Sequence, residues 1–202
     1  MVEMNDVEPL DRAFYARDSR VVAPELLNKV LVLGGPEPRS ARIVEVEAYC
    51  GPEDPGSHGF RGETGRTRTM FGRGGHLYVY FTYGMHWCAN AVCGDVGESS
   101  AVLLRAAAPL TGLEVMRERR GPVALRDRDL CSGPAKLCQA FGIDRAFDGA
   151  DLVKGDLGLT VVDDGEAPPA DPGVSRRIGL SAGIEHEWRW FVPGDANLSS
   201  RS

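Results

Sequence analysis

Hydrophobic and polar positions along this chain alternate most clearly in two stretches. From Ile43 onward, a period of two sets Val44, Val46 and Ala48 on one face of a strand. Ile43, Glu45, Glu47 and Tyr49 fall on the other. Residues 76–82 (HLYVYFT) are aromatic and β-branched, which predicts a second strand with Tyr78 and Tyr80 on a shared face. Tyr83, Gly84, Met85 and His86 then read as a tight turn, in which Gly84 is free to take a positive φ. Residues 87–92 return as a partner strand carrying Cys88 and Asn90 on one face. The pattern is a hairpin tipped by tyrosine, methionine and histidine. Such a tip is either covered by the protein or inserted into a partner.

Weaker periodicities fill in the rest. Residues 10–17 and 21–28 read as helices, with Asp18 or Ser19 as cap of the second and Pro24 near its first turn. Strands are expected at 29–33, 100–106, 158–162, 177–180 and 188–192. Leu113–Arg120 reads as a short amphipathic helix with a basic end. Another helix opens at Ser132-Gly133-Pro134, capped by Ser132, buries Leu137, Cys138 and Phe141, and ends at Gly142. Residues 163–173 form a surface loop, and the chain beyond Pro193 reads as disordered. There is no internal repeat, and no stretch reads as a domain linker. The loop 51–75 is rich in Gly, Pro, Ser, Thr and Arg, and a structureless loop of that length in a compact domain is usually functional or disordered. Its Arg61, Arg66, Arg68 and Arg73 suit phosphate contacts, because guanidinium forks match phosphate oxygens.

Composition changes this picture at three points. The 202 residues fit one domain with a sizeable core. There is no long apolar run, and the acidic, polar opening MVEMNDVEP is unlike an export signal, so a cytoplasmic setting is expected. The five cysteines are odd in number and form no CxxC pair. They read as reduced thiols and, with four scattered histidines, give no zinc-ligand spacing. The net charge of −6 argues against nucleic acid at first. However, residues 61–145 hold twelve basic and eight acidic side chains, a local +4. A mildly basic centre between acidic ends is compatible with a local DNA-binding face.

EVEAYCGPEDPGSH, followed in order by RTRTMF, LYVYFTYGM, a strand asparagine, VLLRA, LEVMRERR and DLCSGPAKLCQAFGI, closely resembles the mammalian-type alkyladenine (3-methyladenine) DNA glycosylases. The likeness covers residues 26–151 and, more weakly, the C-terminal strands. It implies base-excision repair: hydrolysis of the N-glycosidic bond of a damaged purine flipped out of duplex DNA. By that resemblance Glu47 is the general base that activates water, and Arg105 lies near its carboxylate and keeps it ionised. Tyr49 and Tyr80 give π-faces for the flipped base, His58 meets a base edge, and Asn90 opposes the 2-amino group of guanine. Tyr83 is the wedge left in the duplex, with Met85 and His86 beside it, and Arg66 and Arg68 grip phosphates. No lysine stands in the catalytic motif, so no Schiff-base lyase step follows, and neither metal nor cofactor is required. The implied partner is double-stranded DNA, bound by a monomer.

Three departures from the mammalian pattern stand out, of which the first and third point to weaker DNA affinity or searching rather than a change of chemistry and the second bears on which arginines meet phosphates. His86 stands where an aromatic is familiar, the arginine loop is slightly shorter, and no long basic N-terminal extension is present. Each residue also has an ordinary reading when taken alone. A strand Glu is solvated, Tyr49 and Tyr80 are core-edge residues, and Asn90 is a strand-edge hydrogen-bonder. His58 is an exposed loop histidine, Arg105 pairs an acid, and Met85 fills a gap. It is their joint occurrence, in order, that favours the glycosylase over a non-catalytic damaged-DNA-binding module or a nucleoside hydrolase. The expected fold is one mixed α/β (α+β) domain: a curved, mainly antiparallel sheet with helices packed around it and the Tyr83 hairpin protruding.

Overall fold

A computed structural model describes residues 7–200; the acidic opening residues 1–6 and residues 201–202 lie outside them. Among the described residues, eight strands form one antiparallel sheet. They are β1 (Val30–Leu33), β2 (Arg39–Cys50), β3 (Leu77–Thr82), β4 (His86–Cys93), β5 (Ser100–Thr111), β6 (Leu159–Val162), β7 (Gly173–Ser175) and β8 (Arg189–Phe191). The main order is β3-β4-β5-β2-β1-β6. One edge of β2 pairs with β5. Its other edge is shared: residues 39–42 pair with β1, and residues 45–47 pair with β8.

Four α-helices of the described residues pack on the sheet, α1 (Arg12–Tyr15), α2 (Ser19–Leu26), α3 (Leu113–Arg120) and α4 (Pro134–Phe141). Tyr15, Leu26, Met116, Leu137 and Phe141 from these helices pack with Val46, Ala48, Val79, Ala91 and Leu104 of the sheet in one buried cluster. The opposite face of the sheet bears Glu45, Glu47, Tyr49, Tyr78, Tyr80 and Asn90, so each strand here has an apolar side and a chemically equipped side. Among the described residues, no helix is long and apolar enough to cross a membrane. All five cysteines are free.

The structure departs from the sequence pattern at several places. In β2 the pairing with β5 shifts register between Ile43 and Val46. This bulge turns Ile43 into the core with Val46 and Ala48, although strict alternation assigned it to the glutamate face. Helix α2 is capped by Asp18, which accepts from Arg20 N, so Pro24 falls in its second turn rather than its first. Helix α4 has Gly133 as its N-cap and so lacks a side-chain cap, and the Ser132 hydroxyl instead accepts from Lys136 Nζ at 3.1 Å. Residues 177–180 are not a strand: Gly179 has φ +79°, which extended backbone does not allow. The chain beyond Pro193 is not free either, since Ser199 is hydrogen-bonded to the buried Glu45. The long loop 51–75 contains two 3₁₀ turns, Gly51–Glu53 and Arg68–Phe71. It is pinned by a fully buried ion pair between Asp54 and Arg177.

Candidate active site

Antiparallel register assembles the site. Tyr78 of β3 is opposite Asn90 of β4, Asn90 is opposite Leu103 of β5, and Leu103 is opposite Glu47 of β2. Directly opposed side chains lie about 5 Å apart, so this row carries a tyrosine, an amide and a carboxylate across four strands. Tyr80 is one step along β3 and Tyr49 one step along β2.

Glu47 is completely buried. Its Oε2 accepts from the Tyr49 hydroxyl at 2.8 Å, its Oε1 accepts from the Ile178 backbone N–H at 2.8 Å, and Arg105 Nη1 lies 3.1 Å from Oε1. A carboxylate offers about four acceptor sites, and these contacts use three of them. Burial and the neighbouring Glu47 charge push the Tyr49 phenol far above its ordinary pKa. Tyr49 therefore stays protonated and donates. Arg105 is itself buried. Desolvation alone would lower its pKa, but the charges of Glu47 and Glu45 outweigh it and the pKa rises, so the guanidinium remains a cation. The back of the Tyr49 ring carries the Arg177 guanidinium, 4.7 Å from the ring centroid.

Beside this group is a narrow cleft lined by Tyr49, Gly56, His58, Met70, Tyr78, Tyr80, Asn90 and Leu180. Tyr78 and Tyr80 stack with centroids 5.5 Å apart. His58 stands edge-on to Tyr80 at 4.4 Å and bonds to the Tyr78 hydroxyl through Nδ1 at 3.1 Å. Burial, helped by the charge of Arg66, lowers the His58 pKa, so the ring is neutral near pH 7. Asn90 Nδ2 donates to the Tyr78 carbonyl at 3.1 Å, which fixes the amide so that it cannot swing out of the cleft.

The hairpin tip stands in solvent. Tyr83 is 80% exposed and Met85 67%, and His86 is also exposed. Tyr83 and Gly84 both take positive φ, +51° and +67°, as the two central residues of a type I′ turn require. For a tyrosine, that conformation costs roughly 1–2 kcal/mol. Of the two sequence readings of this tip, covering by the protein finds no support among the described residues. Arg66 leans back on the cleft, 5.8 Å from the Tyr80 ring centroid and 3.4 Å from the Phe81 carbonyl. Arg68 is exposed and pairs with Glu63 at 3.3 Å.

The structure thus brings Glu47, Arg105, Tyr49, His58, Tyr80 and Asn90 into one neighbourhood, with Tyr83, Met85 and His86 on the adjoining tip and Arg66 beside the cleft. Arg68 is turned to an acidic neighbour. Sequence reasoning missed Tyr78, Glu45, Leu180 and the Asp54–Arg177 pair. Tyr78 and Glu45 were signalled by alternation with Tyr80 and Glu47. The pair was not, since its members are separated by 123 residues.

Comparison with known proteins defines the class. Residues 13–196 match the family described as methylpurine-DNA glycosylase (MPG). The chain belongs to that family. Its relatives include proteins named "Putative 3-methyladenine DNA glycosylase" from Burkholderia lata and Streptomyces avermitilis. The first is 56% identical over 190 residues, covering 94% of this chain and 90% of the relative. The second is 46% identical over 202 residues, covering 98% and 94%. A protein of the same name from Carboxydothermus hydrogenoformans is 42% identical over 193 residues, covering 95% and 99%.

Proposed function

We propose that this protein is a monofunctional DNA glycosylase of base-excision repair. It draws alkylated or deaminated purines out of duplex DNA and hydrolyses the N-glycosidic bond, leaving an abasic site. The observation that carries the reading is the buried Glu47 carboxylate, aimed by Arg105, Tyr49 and Ile178 and placed beside an aromatic cleft. A flipped purine stacks in that cleft against Tyr80 and Tyr49, with His58 at its edge. Glu47 accepts a proton from a water held at its remaining acceptor site, and that water attacks C1′ as the base departs. Among the described residues no lysine lines the cleft, which supports simple hydrolysis over a Schiff-base step. One chain supplies the whole arrangement, consistent with a monomer acting on nucleoid DNA in the cytoplasm. Arg66 and Arg68 are the proposed phosphate contacts; for Arg68 this requires exchange of Glu63 for a phosphate.

The test is incubation with duplex oligonucleotides bearing 3-methyladenine, 7-methylguanine, hypoxanthine or ethenoadenine, followed by alkali cleavage of abasic sites. Strand cleavage at one or more lesions is expected. Cleavage at none refutes the proposal.

Two variants probe the cleft and the tip. Tyr83→Ala weakens capture of the flipped state with no effect on folding, because the side chain is in solvent and the substitution removes no core. A substantial fall in Tm would show the tyrosine to be structural instead. Asn90→Ser removes a fixed amide from the edge facing the 2-amino group that distinguishes guanine from hypoxanthine. The fixed amide clashes with the intruding amine or leaves it unpaired, and a buried unpaired polar group costs about 1–3 kcal/mol. Its relief raises guanine excision relative to hypoxanthine, measured as the ratio of single-turnover rates. A proportional loss of both activities would make Asn90 a scaffold residue.

A further inference from the structure

The proposed role of Glu47 uses one of two buried carboxylates on β2. Glu45 is equally buried and faces the same side. A carboxylate sealed from water needs compensation, and four donors converge on this one. Its Oε1 accepts from Arg105 Nε at 2.8 Å, Arg189 Nε at 2.7 Å and Ser199 Oγ at 2.7 Å, and its Oε2 accepts from Ser199 N at 2.6 Å. Burial pushes the Glu45 pKa up, but these hydrogen bonds and the Arg105 charge more than reverse the push, and the carboxyl stays ionised. Three of the four donors come from β8 and the segment that follows it.

Arg105 is held on every nitrogen. Nε is on Glu45, Nη2 is 3.1 Å from Ser199 Oγ, and Nη1 is on Glu47. A guanidinium is a rigid planar fork, so anchoring Nε and Nη2 dictates where Nη1 points. The Ser199 hydroxyl closes the arrangement by accepting from Arg105 while donating to Glu45. The charges also balance, with Glu45 and Glu47 facing Arg105 and Arg189. Without Glu45, Arg105 loses its buried anchor and two cations crowd the remaining carboxylate.

We infer that Glu45 and Ser199 are positioning residues that together aim Arg105 at Glu47, making the segment after β8 part of the active site. The inference rests on the proposed role of Glu47. Ser199→Ala deletes both hydroxyl contacts but keeps the backbone bond to Glu45, and Ser199→Thr keeps the hydroxyl. Single-turnover excision from hypoxanthine DNA at saturating enzyme and the affinity for the same DNA are measured for each variant. Misdirected catalytic groups cost roughly 10- to 100-fold in rate. Ser199→Ala is expected to lose rate by about tenfold or more, with affinity unchanged, and Ser199→Thr to restore it. Because Ser199 acts through Arg105, adding Ser199→Ala to Arg105→Met costs nothing further. A wild-type rate in Ser199→Ala, a loss that adds to that of Arg105→Met, or an equal fall in rate and affinity overturns the inference alone. Wild-type protein that excises no lesion overturns the function reading, and this inference with it. Glu45→Gln, where it folds, shows the same split between rate and affinity; equal losses in both again overturn the inference.

Discussion

Glu47→Gln lowers single-turnover excision by about a hundredfold or more, the usual scale for loss of a general base, while lesion DNA is still bound. Glutamine keeps the length of the side chain and one acceptor oxygen, so Tyr49 or Ile178 retains a partner. What is lost is the second acceptor oxygen and the negative charge facing Arg105, and with them the capacity to take a proton from water. The measurement pairs excision kinetics with binding to the same oligonucleotide. Parallel losses of binding and turnover would make Glu47 a structural residue and would favour the non-catalytic damaged-DNA-binding module.

Arg177→Met has the largest expected effect on stability. Arg177 and Asp54 are both fully buried, and the guanidinium also donates to the carbonyls of Ala48 and Gly183. Removing one member of a buried pair strands the other, at a cost of about 3–5 kcal/mol. For a protein of this size that is a fall in Tm of roughly 10 °C. Arg177→Met combined with Asp54→Asn leaves no uncompensated charge and recovers much of the loss. A single variant that melts with the wild type would show that water reaches Asp54. Excision also falls in the single variant, because the residue after Arg177 supplies the backbone N–H that holds Glu47.

The elements legible in the sequence are those specified by short-range periodicity. Leu113–Arg120 is a helix with the expected bounds, α4 ends at Gly142 in the left-handed conformation, and the alternation of Tyr78 with Tyr80 and of Glu45 with Glu47 places all four on the site face. The type I′ turn was legible as a turn because Gly84 marks it. That Tyr83 also adopts a left-handed φ was not, since no local rule favours a tyrosine there. The bulge after Ile43 was hidden because a one-residue offset leaves the hydrophobic composition of the strand unchanged. Residues 177–180 alternate as a strand would. Yet Arg177 is buried for its ion pair, Ile178 turns its N–H to Glu47, and Leu180 walls the cleft, so tertiary demands and not pairing explain the pattern. Ser199 lies in a polar terminal stretch, and nothing local marks such a serine as the partner of a carboxylate 154 residues earlier.

The shared edge of β2 has a consequence for the order of events during folding. Residues 45–47 are flanked by β5 on one side and by β8 on the other, and β8 together with Ser199 is synthesised after every other part of the site. A chain in which β8 has not yet docked has its cleft, hairpin and helices available to fold. It lacks Arg189 and Ser199, so the carboxylate face of β2 lies open to water and Arg105 has a single anchor beside Glu47. The cluster around Glu45 is therefore completed late and all at once, when the last strand docks.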